Sequence, residues 1–226
     1  MLLSTSAIAA VNAALKGGAR VRIGIVSDIH GNARGLALAL ERMGDVDELL
    51  CAGDMVEEFR FCNEAVEILR DRDAKCVLGN HDLGMLAPHG ARARSAHHVR
   101  AELVEWLASH PLRHDLEFDG KQLVMTHASP LPPHNQYLVA HSPELKRLAA
   151  IEADYIVIGH SHTQIVQRVG RPLVINPGSV GQARDHSNGR RLSYAVLDTA
   201  TDHVEIDNYE LDQTAGLSGT GGITER

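Results

Sequence analysis

Several apolar runs in this chain each end in a short polar string in which Asp, Asn or His stands beside a small residue. The first run, VRIGIVS at 21–27, is almost continuously apolar, which is typical of a strand buried on both faces. Helical periodicity follows this run at 33–43, and again at 61–70 after the second run. Such alternation of strand and helix predicts a parallel sheet with right-handed crossovers in the first half of the chain.

The second half of the chain contains more strand patterns and fewer helical ones. Strand patterns at 112–118 and 122–125 flank an Asp-Gly pair, which is a hairpin signal. A helix is expected at 95–109, with Trp106 in the core, and further strands follow from residue 155 onward. Because short turns join these later strands, they could form a second sheet stacked on the first.

The length of 226 residues suits one domain better than two, and we assign that domain to residues 21–210. Residues 1–20 are expected to form an N-terminal helical extension, because their apolar residues fall at helical spacing before a Gly-Gly pair. No basic segment precedes the apolar part, so a signal peptide is not favoured. Residues 211–226 are Gly-rich and polar, and we expect a flexible tail there.

The formal net charge of −7, without any basic tract, argues against long nucleic acids and membrane surfaces as partners. No stretch reaches the roughly eighteen apolar residues that span a bilayer. A small anionic substrate would need a local positive field, which a bound metal can supply. The three cysteines match no zinc or disulfide pattern, which favours reduced thiols and a cytoplasmic location. Edge strands of the later hairpins could pair between subunits of a homo-oligomer.

The polar strings carry the side chains that bind divalent metals. Ligands of open α/β sheets bind outside the carboxyl ends of strands, and each string follows a strand pattern. Asp-x-His and His-x-His spacings place alternate residues on one side of an extended strand end, and flanking glycines allow close approach of the backbone. Taken singly, each residue is better explained as a cap, a turn residue or a structural histidine, but five such strings favour a metal site. The candidate ligands are Asp28, His30, Asp54, Asn80, His127, His160 and His162.

The order of the strings resembles the signature of the calcineurin-like metallophosphoesterase superfamily: Asp-x-His, Gly-Asp, Gly-Asn-His-Asp/Glu, a single His, then Gly-His-x-His. All five blocks are present, and the resemblance covers roughly residues 21–210. The string Asn-Pro-Gly-Ser at 176–179 resembles small single-domain bacterial and archaeal members, although a tight structural turn explains it as well. The implied fold class is α/β, a four-layer α/β/β/α sandwich of two mixed β-sheets flanked by helices. Its metal site would lie at the C-terminal ends of the strands.

The resemblance also implies roles for these residues. Two divalent ions are expected, with Mn favoured and Fe, Zn or Ni as alternatives, and a water or hydroxide between them would be the nucleophile. His81 would protonate the leaving oxygen, the alternative being a spacer beside the ligands. The implied catalytic residues are therefore His81 and Asp54, with Asp54 bridging both ions. The first ion would take Asp28, His30, Asp54 and His162, and the second Asp54, Asn80, His127 and His160.

The second block departs from that of the superfamily's protein Ser/Thr phosphatases, which extend it as Gly-Asp-x-Val-Asp-Arg-Gly. Here it reads Gly-Asp-Met-Val-Glu-Glu-Phe at 53–59, so the phosphate-gripping arginine is absent. That absence suits singly charged phosphodiesters better than dianionic monoesters. Glu57 stands where the family has an Asp that orients the histidine, and its longer arm puts the same contact in question. Glu57 and Asp82 are expected next to the ligands, without binding metal themselves.

Contacts to the substrate must then come from other side chains, and the candidates are Asn32, Asn80 and Arg184. A turn role explains Asn32 equally well, and Arg184 could be a solvated loop residue. Segments 85–95 and 130–141 follow two of the blocks and could cover the site. The expected function is hydrolysis of small phosphoesters or nucleotides, with a phosphodiesterase preferred. The alternatives are a phosphomonoesterase or protein phosphatase, and a non-catalytic metal-binding scaffold that binds partners.

Overall fold

The computed structural model describes residues 20–211 and contains ten β-strands in that range. The strands are β1 (Arg22–Val26), β2 (Glu48–Cys51), β3 (Lys75–Cys76), β4 (Arg113–Phe118), β5 (Lys121–Thr126), β6 (Tyr155–Val157), β7 (Gln164–Arg168), β8 (Leu173–Pro177), β9 (Leu192–Asp198) and β10 (His203–Tyr209). The helices are α1 (Ala33–Met43), α2 (Asn63–Asp71), α3 (Asn80–Leu86), α4 (Ala91–Arg94) and α5 (Ala101–Ala108), with 3₁₀ helices at Pro88–Gly90 and Pro143–Ala150.

The strands form two mixed sheets of five strands each. The first sheet has the order β10-β9-β1-β2-β3, in which β1, β2 and β3 are parallel, β9 is antiparallel to β1, and β10 is antiparallel to β9. The second has the order β4-β5-β6-β8-β7, with β5, β6 and β8 parallel and an antiparallel strand at each edge. Parallel strands at the centre of both sheets bring several carboxyl ends to one edge, where ligands of α/β folds bind.

Alternating side chains place three apolar clusters between four layers. The cluster between the sheets includes Ile25 of β1 together with Met125 and Val157 of the second sheet. On the outer face of the first sheet, residues of helices α1 and α2 pack against Val26. On the outer face of the second sheet, leucines of the 3₁₀ helix at Pro143–Ala150 pack in a third cluster. The expected sandwich of two mixed sheets flanked by helices is therefore confirmed.

Helix α1 spans Ala33–Met43 as predicted, but the helix predicted at 95–109 is wrong in its first half. The chain is helical only from Ala101, because residues 95–98 form turns and the side chain of Asn63 holds the segment that joins them to the helix. The Asn63 amide donates to the carbonyl of His98 at 2.6 Å and accepts from the Arg100 N–H at 3.0 Å. A long-range contact of this kind leaves no periodic signal in the sequence. Trp106 is partly buried and packs against the core.

The predicted N-terminal helix at 1–20 and tail at 211–226 lie outside the described residues, apart from Arg20 and Leu211. Within the described range, none of the helices combines the length and apolar character that crossing a bilayer requires. The three cysteines are free, and Cys51 and Cys76 are buried on the neighbouring strands β2 and β3.

Candidate metal centre

The seven candidate ligands converge where the carboxyl ends of parallel strands from both sheets meet. The first sheet supplies Asp28, His30, Asp54 and Asn80 from the segments that follow β1, β2 and β3. The second sheet supplies His127, His160 and His162 from the segments that follow β5 and β6. The backbone N–H of His160 donates to the Asp28 carboxylate at 3.0 Å, and this bond joins the two edges directly.

Three buried residues form the first ligand group, which consists of Asp28, His30 and His162. Nε2 of His162 lies 3.2 Å from Oδ1 of Asp28 and 3.1 Å from Nε2 of His30. The remaining pair, His30 Nε2 and Asp28 Oδ1, is 4.0 Å apart. The structure thus brings two imidazole nitrogens and one carboxylate oxygen of the predicted first set to a common point.

Asp54, His127 and His160 form the second ligand group, and Asn80 adjoins it. Nε2 of His127 lies 3.2 Å from Oδ2 of Asp54, 3.1 Å from Oδ1 of Asn80 and 3.2 Å from Nδ1 of His160. Oδ2 of Asp54 is also 3.8 Å from Nε2 of His30. Asp54 therefore lies between the two groups, which is the position that the predicted bridging role requires.

Hydrogen bonds to backbone carbonyls fix which nitrogen of two ligand histidines is free. Nδ1 of His127 lies 2.7 Å from the carbonyl of Ala52, and Nδ1 of His162 lies 3.1 Å from the carbonyl of Gln182. A carbonyl can only accept, so each Nδ1 carries a proton and each Nε2 is the nitrogen that faces the centre. Histidines that bind metals are commonly oriented by this kind of bond.

These side chains fit a pair of divalent ions. Contacts of 3.1–3.2 Å between ligand atoms are what two atoms have when each lies about 2.0–2.2 Å from a shared ion. The Nε2 atoms of His30 and His162 face each other at 3.1 Å, a contact between two ring nitrogens that a shared cation would satisfy.

Left-handed backbone conformations recur at the ligand positions. Five of the seven candidate ligands have positive φ angles, between 48° and 67°: Asp28, His30, Asp54, His160 and His162. Positive φ is uncommon outside glycine, and such strain tends to collect at functional sites, at about 1–3 kcal/mol per residue. The conformation turns the chain sharply after each strand. Gly79 is required at this edge, because a Cβ there would collide with the Asp54 carboxylate.

Asp54 and His127 in the second group shift each other's pKa in the direction opposite to the effect of burial. Burial alone would raise the pKa of Asp54, but its hydrogen bond to His127 and the charge of that imidazole outweigh burial and lower the pKa to about 2. Burial likewise works against protonation of His127, yet the Asp54 carboxylate raises its pKa to about 9. Burial lowers the pKa of His30 to about 4, which keeps that imidazole in the neutral form that binds metal.

Glu57 reaches the histidine that it was expected to orient, despite its longer arm. Oε1 of Glu57 lies 3.0 Å from Nδ1 of His81, and Oε2 lies 3.4 Å from Nδ1 of His30. The Gln182 amide donates to Oε2 at 3.0 Å and so holds the carboxylate in place. His81 also packs edge-on against His30, with ring centroids 4.8 Å apart. Gln182 was not among the predicted site residues, because nothing in its sequence context marks the contact.

Asp82 is fully buried and connects the segments that follow β2 and β3. Its Oδ1 accepts from the N–H of Val56 at 3.0 Å, and its Oδ2 accepts from the N–H of Gly79 at 2.9 Å. Burial, and next the nearby charge of Asp54, raise the pKa of Asp82 to about 7. Asp82 lies next to the candidate ligands and positions the backbone that carries Asp54 and Asn80.

The two other candidates for substrate contact are engaged with the protein itself. Oδ1 of Asn32 accepts from the N–H of Gly35 at 2.9 Å and so caps α1, and Nδ2 donates to the carbonyl of Gly181 at 3.1 Å. These bonds give Asn32 a structural role at a turn, which was the alternative to substrate contact. Arg184 is exposed and donates to the side-chain oxygen of Gln182. A substrate contact by either residue stays a prediction.

Tyr137 stacks on a ligand, although only its segment at 130–141 was expected near the site. Its ring lies 3.9 Å from that of His160, with the two planes 29° apart. The Asn-Pro-Gly-Ser string also serves the centre structurally. Asn176 donates to the carbonyl of Gly159 at 2.8 Å, and Ser179 donates to the carbonyl of Asp28 at 2.7 Å.

The chain is similar to several known proteins. A family model described as calcineurin-like phosphoesterase superfamily domain matches residues 21–202. The uncharacterized protein MJ0912 of Methanocaldococcus jannaschii is 31% identical, over 84% of this chain and 88% of that protein. A symmetrical bis(5'-nucleosyl)-tetraphosphatase of a Shewanella species is 29% identical over 63% of this chain, and the match spans 58% of that enzyme.

Structural similarity extends over most of the chain as well. The crystal structure of a metallophosphoesterase from Sphaerobacter thermophilus superposes with a TM-score of 0.66 at 27% identity, covering 86% of this chain and 90% of that one. The resemblance that the five motif blocks suggested is therefore confirmed at the level of the family. The chain belongs to the calcineurin-like phosphoesterase superfamily.

Proposed function

We propose that this protein is a di-metal phosphoester hydrolase that acts as a phosphodiesterase on small phosphoesters or nucleotides. The observation that carries the proposal is the complete set of seven ligand side chains, gathered into two groups with Asp54 between them. A non-catalytic scaffold of the same fold would have no need to retain every ligand, together with a histidine beside them. The family to which the chain belongs is described by phosphoesterase activity.

Each ion would have its own ligands and share one. The first would be held by Asp28, His30, His162 and Asp54, and the second by Asp54, Asn80, His127 and His160. Imidazole together with carboxylate suits Mn, Fe, Zn or Ni, and we favour Mn. When bound, such ions lower the pKa of a water nucleophile and polarise the phosphoryl oxygens.

His81 is the residue that can pass a proton to the leaving oxygen. Its ring is partly buried, and its Nδ1 faces the Glu57 carboxylate at 3.0 Å. With Nδ1 on the side of the carboxylate, Nε2 is the nitrogen left to face the leaving oxygen. The backbone N–H of His81 donates to Oδ1 of Asp54 at 2.8 Å, so the proton donor is fixed relative to the bridging carboxylate.

Asn80 is suited to hold a phosphoryl oxygen. Its Oδ1 faces His127, so its amide nitrogen remains to donate, and the residue is exposed at the surface of the centre. No arginine occupies the second block, which suits a diester with one negative charge. The similarity to symmetrical bis(5'-nucleosyl)-tetraphosphatases supports nucleotides as one substrate class.

The test compares bis-p-nitrophenyl phosphate with p-nitrophenyl phosphate on protein loaded with Mn²⁺, with the metal content measured on the same samples. We expect hydrolysis of both, with the higher kcat/KM for the diester. A strong preference for the monoester would contradict the diesterase assignment. Loaded protein that hydrolyses neither ester would instead support the scaffold alternative.

A further inference from the structure

We propose that a pocket beside the second ligand group binds a flat aromatic ester group of the substrate, of which a nucleobase is the natural class. This inference rests on the proposed function and extends it, because it concerns what is attached to the phosphate. The pocket has a volume of about 550 Å³ and shares Asn80, His127 and His160 with the metal centre. Pockets for small ligands commonly measure about 300–1,000 Å³, and a phosphate alone needs much less.

Apolar side chains form much of the pocket lining. They include Leu78, Leu83, Leu112 and Pro130. Leu83 lies one helical turn after Asn80 in α3, so the two side chains share one face of the helix. Leu83 and Leu112 are 43% and 58% exposed, although they adjoin the centre where a substrate must bind. A ligand that covered them would remove this apolar surface from water.

Two hydroxyls and the guanidinium of the wall are already engaged with other groups of the protein. The hydroxyl of Thr126 donates to the carbonyl of Ala128 at 2.8 Å, and that of Ser129 donates to the carbonyl of Leu131 at 2.7 Å. The guanidinium of Arg113 is bound by the carboxylate of Asp115 at 2.6 Å. The pocket is therefore poorly suited to a second phosphate group.

Two side chains can recognise a polar edge on an otherwise apolar ligand. His134 and Asn135 also line the pocket, and both are exposed. Nδ1 of His134 lies 3.2 Å from the carbonyl of Ser129, so Nδ1 carries the proton and Nε2 is an acceptor. A nucleobase has apolar faces and a rim of donors and acceptors, and it matches this combination better than an alkyl group does.

The pocket wall is held independently of any ligand. The N–H of Leu78 donates to the carbonyl of Pro111 at 2.9 Å, which ties the segment before β4 to the segment that carries Asn80. Leu112 follows this tether directly, so its position relative to the centre is set by the fold. A preformed wall of this kind contributes to affinity because less order has to be imposed on binding.

The inference is tested by calorimetric binding to Mn²⁺-loaded protein, which requires no turnover. The probes are the C–P-linked 5'-phosphonate analogue of adenosine monophosphate, which cannot be hydrolysed, and ethylphosphonate, which lacks sugar and base. We expect the nucleoside phosphonate to bind at least about tenfold more tightly. Leu112→Asp and Leu83→Gln should each remove most of this difference and leave the Kd of ethylphosphonate unchanged.

Val166→Asp is the matched control, because Val166 is another exposed apolar residue, 45% exposed, on strand β7 and outside the pocket. It should change neither Kd. Equal binding of the two probes to the wild type, binding of neither, or a preference that survives both pocket variants would overturn the inference. Hydrolysis of bis-p-nitrophenyl phosphate, measured on the same samples, reports separately on the proposed function.

Discussion

Nδ1 of His81 lies 3.0 Å from Oε1 of Glu57, while the other oxygen of the same carboxylate lies 3.4 Å from Nδ1 of His30. One carboxylate thus faces both the candidate proton donor and a candidate ligand. Gln182, which donates to Oε2, limits the rotation of this carboxylate. A carboxylate on the Nδ1 side orients the His81 ring and leaves Nε2 to face the leaving oxygen.

Glu57→Gln should therefore slow esters with poor alkyl leaving groups more than esters of p-nitrophenol, which leaves without protonation. We expect a fall in kcat of about tenfold or more for an alkyl diester and less than about threefold for bis-p-nitrophenyl phosphate. Steady-state kinetics with both esters gives the comparison. Glu58→Gln is the matched control, because Glu58 pairs with His89 at 3.1 Å and does not contact the centre. Equal losses with both esters would argue against the leaving-group role.

Asp54→Asn should abolish most hydrolysis and reduce the content of bound Mn after dialysis. The bridging position needs a charged oxygen for both ions, and we expect the rate to fall by more than about 100-fold. Asn tolerates the left-handed φ of 53° at this position, so the backbone should persist. Asp73→Asn is the control for an Asp-to-Asn change at a left-handed position. Asp73 has a φ of 52° and is exposed, away from the ligands. An unchanged metal content in Asp54→Asn would refute the shared-ligand assignment.

Asp82→Ala should lower the free energy of unfolding by about 2–4 kcal/mol, because the N–H groups of Val56 and Gly79 would each lose a buried acceptor. Urea denaturation at neutral pH measures the change. Asp71→Ala removes an exposed carboxylate that pairs with Arg70 at the surface, and it should cost less than about 0.5 kcal/mol. A similar small loss for Asp82→Ala would mean that water replaces the carboxylate at both N–H groups.

Removal of metal should destabilise the protein. Mn²⁺ at about 100 times its Kd would raise the free energy of unfolding by about 2.7 kcal/mol, and a chelator would reverse the gain. Thermal denaturation with and without added Mn²⁺ measures the shift. The shift should shrink in Asp54→Asn, since that variant lacks the shared ligand. Identical shifts in the two proteins would point to metal binding elsewhere on the surface.

Stability should also fall between about pH 6.5 and pH 4 because of His110. Burial, and next the nearby His114, lower the pKa of His110 to about 4, and its ring packs edge-on against Trp106 at 4.2 Å. The unfolded chain takes up this proton near pH 6.5 and the folded chain only near pH 4, so the stabilisation is present above that window and lost as the pH falls through it.

For a half-buried ring, the expected loss is about 1–2 kcal/mol after allowance for solvent screening. His110→Leu should make the pH dependence of unfolding shallower by that amount, as measured by urea denaturation at pH 7 and pH 4.5. His203→Leu is the control, because His203 is exposed at the start of β10. A pH dependence that is the same in both variants would show that other groups cause the acid loss.

The convergence of the candidate ligands could be predicted because it follows from a short-range rule. Each ligand follows a strand by a few residues, and parallel strands bring those ends together whatever the remainder of the fold does. The start of helix α5 at Ala101 could not be predicted. The side chain of Asn63 in helix α2 binds His98 and Arg100, and these contacts override the helical pattern at 95–100.

The sequence also could not show which side chains contact each other around the candidate site. Whether the longer arm of Glu57 would still meet His81 depends on the loop geometry and on the bond from Gln182. The stacking of Tyr137 on His160 and the tether from Leu78 to Pro111 join segments far apart in the chain, and neither contact leaves a local pattern. The sequence could therefore point to the candidate ligands, but it could not show the surface around them.

The seven candidate ligands come from both sheets, four from one and three from the other, and no single segment carries them all. A chain in which either sheet was misassembled would lack a complete set for each ion. Tight uptake of two equivalents of metal would then serve as a titration of correctly folded molecules. In a preparation that contains misfolded protein, the measured ratio of metal to protein would give the native fraction without a substrate assay.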